Sequence, residues 1–255
     1  MHAGSFTIDN IDQAEIDALT KELGADWVFT TVSSAKATGD LLPMVGVEIG
    51  VVAGATSAPK WAQLIKEEDP TTDLDKLPHL NFISTVSFRP IGLTVELGII
   101  PETSKDGASI KNTAIGAKWT FLDNILYQVA ARVHFNSNEL SFVDTTTVAG
   151  GNAVGSTSFD TNTYGAQVII GGDFFGIIEP YAGLGLIKSS TDTNLSANVT
   201  VTDVSLVGSR AIKSSHTSAH FMAGVVFDLF IVNLGVEYMN ALGTSRIAGK
   251  FSFNL

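Results

Sequence analysis

The chain of 255 residues has no cysteine, which excludes disulfides, thiolate metal sites and a thiol nucleophile. Basic residues are scarce: 15 Lys and Arg stand against 26 Asp and Glu, a net charge of -11. These cations are scattered and form no stripe, so a phosphate backbone is repelled and nucleic acid is excluded as a partner. The first ten residues, MHAGSFTIDN, lack the basic and apolar regions of a secretory signal, which leaves a cytoplasmic protein or a chain numbered in its mature form. Long apolar runs are missing too. A membrane helix needs about 20 apolar residues, and the most apolar window, FMAGVVFDLFIVNLGV at 221–236, is shorter and is broken by Asp228 and Asn233. The five histidines (His2, His79, His134, His216, His220) show no paired spacing with carboxylates, and the glycine-rich VAGGNAVGS at 148–156 lacks the flanking strand and helix of a phosphate loop. No metal or cofactor is expected.

What the chain does have is a period of two. Hydrophobic residues make up 45% of it, enough for a large core or a large lipid-facing surface. In MVGVEIGVV at 44–52, Val45, Val47, Ile49 and Val51 share one face and Gly46, Glu48 and Gly50 the other. GLTVELGII at 92–100 repeats this with Leu93, Val95, Leu97 and Ile99 against Thr94, Glu96 and Gly98. LYQVAARVHF at 126–135 sets Tyr127, Val129, Ala131, Val133 and Phe135 against Gln128, Arg132 and His134. Similar alternation runs through 112–121, 163–170, 181–186, 219–238 and 246–255.

The polar face decides which side is wet. A soluble sandwich places long charged side chains outside its core, whereas here the polar face is mostly Gly, Asn, Gln, Ser and Thr. Small polar residues suit a confined aqueous lumen, and an apolar face with aromatics toward the strand ends suits lipid. Short turns are expected at 89–92, 122–125, 171–177 and 227–230, and longer polar loops at 55–79, 101–109, 137–156 and 188–215. Alternating short and long connections fit an all-β fold: a transmembrane antiparallel up-and-down β-barrel with a short N-terminal helix.

The last segment, RIAGKFSFNL at 246–255, resembles the C-terminal assembly signal of bacterial outer-membrane β-barrels, and EPYAGLGLI at 179–187 is similar to a hairpin phrase common among them. The departure is Leu255, where that superfamily usually ends in Phe or Trp. The resemblance covers the chain from Met44 onward. It implies a bacterial outer-membrane location, contact with outer-membrane lipid and lipopolysaccharide, and insertion by the barrel-assembly machinery through the C-terminal strand. Ten strands are counted from Met44, with WVFTTVSSA at 27–35 as an eleventh candidate. Because an even number is expected, ten to twelve strands result, and a strand within ANVTVTDVSLVG at 197–208 makes the count favour twelve.

Two domains follow, a helical segment at 1–24 and a barrel at 25–255. IDNIDQAEIDALTKEL at 8–23 reads as a helix, with Ile8, Ile11, Ile16, Leu19 and Leu23 on one side, Asp12 and Glu15 at capping-box spacing and Gly24 as its end. It is either a lumen plug, an arrangement similar to that of fatty-acid-transport barrels, or a periplasmic helix. SAPKWAQLIKEE at 57–68 reads as a second helix in the first external loop, a lid or interfacial anchor, with Trp61, Leu64 and Ile65 on one face and Ser57 as cap.

The interior should carry Glu48, Glu96, Lys118, Gln128, Arg132, His134, Gln167, His220, Glu237, Arg246 and Lys250 as pore-lining residues. Opposed charges across a narrow pore select solutes, and the same groups paired across the barrel brace it. HTS at 216–218 has the His-x-Ser spacing seen in one lipid A deacylase family, but with no third member or oxyanion donor assignable, no enzyme is expected. The function read from the sequence is a channel or facilitated transporter for small solutes, hydrophobic or amphipathic if the N-terminal segment fills the lumen. The alternatives are a structural or adhesion barrel acting through its external loops, and a lipid-modifying hydrolase.

Overall fold

The computed structural model describes residues 12–38, 44–68, 75–105, 107–124, 126–148, 151–201 and 204–255. Its strands are β1 (Val45–Ser57), β2 (Lys76–Phe88), β3 (Leu93–Lys105), β4 (Ala108–Asp123), β5 (Tyr127–Val148), β6 (Gly151–Gly172), β7 (Ile178–Val201), β8 (Val204–Leu229), β9 (Val232–Ala241) and β10 (Thr244–Asn254). Each pairs antiparallel with its sequence neighbour and β10 returns to β1, so ten strands form a closed barrel. Of the ten to twelve strands expected, ten are formed, not twelve. Residues 27–35 lie in no strand, and 197–201 and 204–208 belong to the ends of β7 and β8, with 202–203 outside the described residues. At the seam the Leu255 N–H donates to the Val47 carbonyl at 2.8 Å, so the terminal leucine keeps the closing ladder complete.

The period-two pattern sorts the wall into two faces. Along β5, Gln128, Arg132 and His134 are buried inside the barrel while Val133 is 57% exposed outside it. Around the outside, Ile115, Val168, Leu184, Val236 and Phe251 are likewise exposed. Such a continuous apolar surface is far larger than a soluble monomer tolerates, so a bilayer must cover it. Nine residues at 127–135, rising about 3.3 Å each and tilted by ~40°, span about 23 Å, close to the height of an outer-membrane apolar band. Among the described residues no helix is long and apolar enough to cross a membrane.

Short turns close one end. At Arg89–Ile91 a single 3-10 turn leads to Gly92, whose φ of 66° is left-handed and whose added Cβ would meet the Thr120 carbonyl oxygen at 2.3 Å. At the other end the sequence misleads. The segments expected as long loops at 137–156 and 188–215 are mostly continuations of β5 to β8, which reach 22, 22, 24 and 26 residues. The alternation persists above the belt but its sign inverts, with Phe159 and Ile212 turned inward and Asp160 and Lys213 outward. Connections at that end are not all long either, since β9 and β10 are joined through Leu242 and Gly243 alone. The barrel rim is therefore high along β5–β8 and low at β9–β10.

A row of charges crosses the projecting sheet in register, from Lys111 through Glu139, Asp160 and Asp192 to Lys213. Partial burial, then Glu139 and Asp192, hold the Asp160 carboxyl above its ordinary range. A carboxyl pKa raised in the folded state is a penalty on folding that is absent below the unfolded value near 3.9 and complete once pH has risen through the folded pKa. Asp160→Asn is accordingly expected to stabilise the sheet at pH 7 by about 0.3 kcal/mol, the scale of a screened cross-strand pair, and to change nothing at pH 3. Hydrogen exchange of β6 and β7 amides at the two pH values measures this; faster exchange in the variant at pH 7 would contradict it.

The helix α1 (Gln13–Asp26) starts at Asp12, whose side chain accepts from the Ala14 N–H at 3.0 Å. It continues past Gly24, and Ile8 and Ile11 lie outside the described residues. It occupies the barrel mouth on the high-rim side, where Ile16, Leu19, Leu23 and Trp27 pack with Ala58, Trp61, Phe159 and Ile212. The second helix, α2 (Pro59–Glu68), covers it. The cap of α2 is not Ser57: the Glu22 carboxylate of α1 accepts from the Lys60 N–H at 3.0 Å and the Trp61 N–H at 3.2 Å, and the Trp61 indole N–H donates to the Leu19 carbonyl at 3.1 Å. From Trp27 the chain runs down through the lumen to Thr38 at the short-turn end.

Candidate functional site: the lumen and its strap

Residues 27–38 form a strap inside the barrel, and the wall binds it by its backbone. Arg246 of β10 donates to the carbonyls of Asp26 at 2.8 Å and Val28 at 2.6 Å. Asn136 of β5 donates to the Trp27 carbonyl. Lys118 of β4 reaches the carbonyls of Ser34 at 2.7 Å and Lys36 at 2.8 Å, and Thr120 donates to that of Ala35 at 2.6 Å. A strap with no ladder partner must satisfy its carbonyls in this way or leave them unpaired in the interior.

Glycines on the inner face make room for the strap side chains. A Cβ on Gly98 would lie 2.5 Å from the Phe29 ring, and one on Gly235 2.8 Å from Val32 Cγ1. Phe29 stacks under Arg132, whose guanidinium carbon is 5.2 Å from the ring centroid, and meets His134 edge-on at 6.3 Å. At the short-turn end Lys36 lies 3.1 Å from Asp173 and 3.0 Å from Glu179, and Ser34 donates to Glu179 at 2.6 Å. The Thr38 N–H donates to Ser87 at 3.0 Å.

All eleven residues assigned to the interior are buried there. They fall into two groups. Glu48 pairs with Lys250 at 2.7 Å, His220 with Gln167 at 2.6 Å, and Tyr181 donates to Glu237 at 2.8 Å, all wall to wall. Gln128 donates to the Asn124 carbonyl at 3.2 Å at the end of its own strand. The others face the strap: Arg246 and Lys118 as above, His134 against Phe29, and Glu96 with Arg132. Glu96 is the hub, since its carboxylate accepts from Arg132 at 2.6 Å, from Thr31 at 2.8 Å and from Ser33 at 3.3 Å. The sequence reading missed the strap residues Phe29, Thr31, Ser33, Ser34 and Lys36. Their signal was the set of inner-face glycines away from any turn, spaced for a chain that packs against them.

With the strap in place the cavities within the lumen include, among the described residues, one at each end of the strap of about 20 Å³, enough for a water molecule. The upper one touches Trp27, Phe29, Asn81, Asn136 and Arg246, and also Leu80 and Ile100. It lies where the wall is weakest. The β2–β3 ladder runs only from Phe88↔Leu93 to Phe82↔Ile99, and β3 is bulged against β4 between Ile100 and Thr103. Pro78 and Pro101, which have no N–H for a ladder, stand on the two sides of that gap.

His216 and Ser218 share a face of β8, but it is the inner face. His216 is 3.3 Å from Thr20 of α1, and Ser218 accepts the Leu242 N–H at 3.0 Å. Neither side chain faces the lipid side of the wall. Among the described residues no cluster of three or more metal-ligating side chains occurs.

Residues 90–246, more than half of the chain, match a family of unknown function (DUF6588). No curated protein sequence matches. Solved structures with a similar fold include the attachment invasion locus protein Ail of Yersinia pestis, at 12% identity over 83% of this chain and 97% of that one, with a TM-score of 0.34. The translocator domain of the autotransporter NalP from Neisseria meningitidis is 11% identical over 84% and 88%, with a TM-score of 0.39. The toluene transporter TbuX of Ralstonia pickettii is 8% identical over 84% and 90%, with a TM-score of 0.32. Likeness at this level extends to the barrel and carries nothing about activity.

Proposed function

As the chain belongs to the family of unknown function DUF6588, its functional reading comes from its own geometry, and we propose that it is a gated outer-membrane conduit for small hydrophobic or amphipathic solutes. The observation that carries this is the way the strap is held. Side-chain donors grip its carbonyls, and water can replace those contacts one at a time, whereas a strand ladder would have to break as a unit. Displacing the strap would open a lumen lined by the eleven polar and charged residues. It would also join that lumen to the β2–β3 gap, where Leu80 stands on the exposed outer face and Ile100, paired with the buried Asn112, on the inner one. A solute with an apolar part is suited to such a path, because it can leave sideways into the bilayer.

The same reading assigns the protein to the outer membrane of Gram-negative bacteria. There, outer-membrane lipid and lipopolysaccharide would surround the belt, and the barrel-assembly machinery would insert the protein through β10. Proteoliposomes containing the full chain are expected to take up a small monoaromatic solute at least tenfold faster than empty liposomes, with sucrose at background. Uptake at background for both solutes would sink the proposal. The projecting β5–β8 sheet favours adhesion as the second reading, and that outcome would promote it.

A further inference from the structure

A third cavity, of about 440 Å³, lies outside the lumen, where the rim is lowest. Its lining comes from three sources: Ala18, Lys21 and Glu22 of α1, Ser57 and Pro59 at the β1–α2 junction, and the β9–β10 hairpin with Tyr238, Asn240, Leu242, Gly243, Thr244 and Ser245. The size is that of a small-molecule pocket. Three lining residues, Tyr238, Asn240 and Ser245, belong to the outer face, since Tyr238 pairs with the lipid-facing Ile247 and Ser245 with Asn240 one step above. The pocket is thus a polar shelf at the upper edge of the apolar belt. Below it, Tyr238, Val236, Ile247 and Phe251 form an apolar stripe on the same two strands.

We infer that this shelf binds the phosphorylated headgroup of an outer-leaflet lipid, with the acyl chains lying along the β9–β10 stripe. Lys21 supplies the charge. It is exposed and has no carboxylate partner among the described residues, and its ammonium lies 3.6 Å from where a Cβ on Gly243 would stand. The other charged lining group, Glu22, is spent on the α2 N-terminus through the Lys60 and Trp61 N–H groups. Asp17, one turn away, is hydrogen-bonded by Ser214. The Asn240, Thr244 and Ser245 side chains supply neutral donors beside the cation, a combination suited to phosphate oxygens. Along β5–β8 the wall rises far above the belt and separates α1 from lipid, whereas over the two-residue turn at Leu242 and Gly243 the Lys21 ammonium of the mouth helix reaches the membrane interface.

This assignment needs the barrel to sit in a bilayer but not to conduct, so a protein silent in the flux assay leaves it standing. The test uses the full chain in neutral maltoside micelles, titrated with dodecyl phosphate and followed by phosphorus NMR. Saturable binding is expected, weakened at least tenfold by Lys21→Gln and kept within about threefold by Lys21→Arg. Ser245→Trp, which fills the shelf and leaves the cation in place, should weaken it as strongly. Inorganic phosphate at equal concentration should not displace the amphiphile. Displacement by inorganic phosphate would mean a site for the free anion and overturn the lipid assignment, as would binding indifferent to both Lys21→Gln and Ser245→Trp.

Discussion

Glu96→Ala is expected to lower the stability of the barrel by about 3–5 kcal/mol and, in the same molecule, to raise solute flux at least tenfold. The stability loss follows from burial. Glu96 and Arg132 are 0% and 2% exposed, and removing one member of a buried pair leaves the other charge without compensation. The flux follows from the second role of the carboxylate, which accepts from Thr31 and Ser33 and so fixes the middle of the strap. The two effects can be separated. In the double variant Glu96→Ala with Arg132→Met the Arg132 charge leaves with its partner, and part of the stability should return, because an apolar replacement of a buried pair is often neutral, while Lys118 keeps its strap carbonyls but loses the attraction of Glu96. The strap contacts do not return, so the double variant should remain leaky. Thermal unfolding and proteoliposome uptake of the two variants together check this. Recovery of both stability and tightness in the double variant would show that Glu96 acts on the wall alone.

Sequence reasoning reached the wall more readily than the strap, for a physical reason. In a membrane barrel both faces have a fixed solvent within the belt, so Val133 and His134 differ in polarity as they differ in direction, and period two is legible residue by residue. Above the belt the outer solvent changes from lipid to water. The pattern then inverts, as at Phe159 and Asp160, and a polar outer face reads as loop. The strap has no such code. WVFTTVSSA carries the β-favouring residues of a strand, but its surroundings are the inner faces of several strands, and its contacts are made through carbonyls, which every residue has. Glycine commonly ends helices, so the sequence points to Gly24 as the end of α1, yet the helix runs on to Asp26. Here that glycine serves packing instead, since a Cβ would lie 2.4 Å from Ser189 Oγ.

The largest effect expected is complete closure by a reversible covalent tether. A Cβ placed on Gly171 of β6 would stand 3.4 Å from Ala35 Cβ of the strap, close to the separation that a disulfide requires. The chain has no cysteine of its own, so Ala35→Cys with Gly171→Cys introduces the only thiols. Neither position supplies a charged contact, and each single variant serves as a control for the substitution itself.

The decisive measurement is monoaromatic uptake by proteoliposomes holding this double-cysteine protein, recorded oxidised and again after reduction. Background uptake when oxidised and uptake restored to the level of the single variants when reduced is the result expected if the strap must move for solute to pass. Equal uptake in the two states, whether both high or both at background, would contradict it.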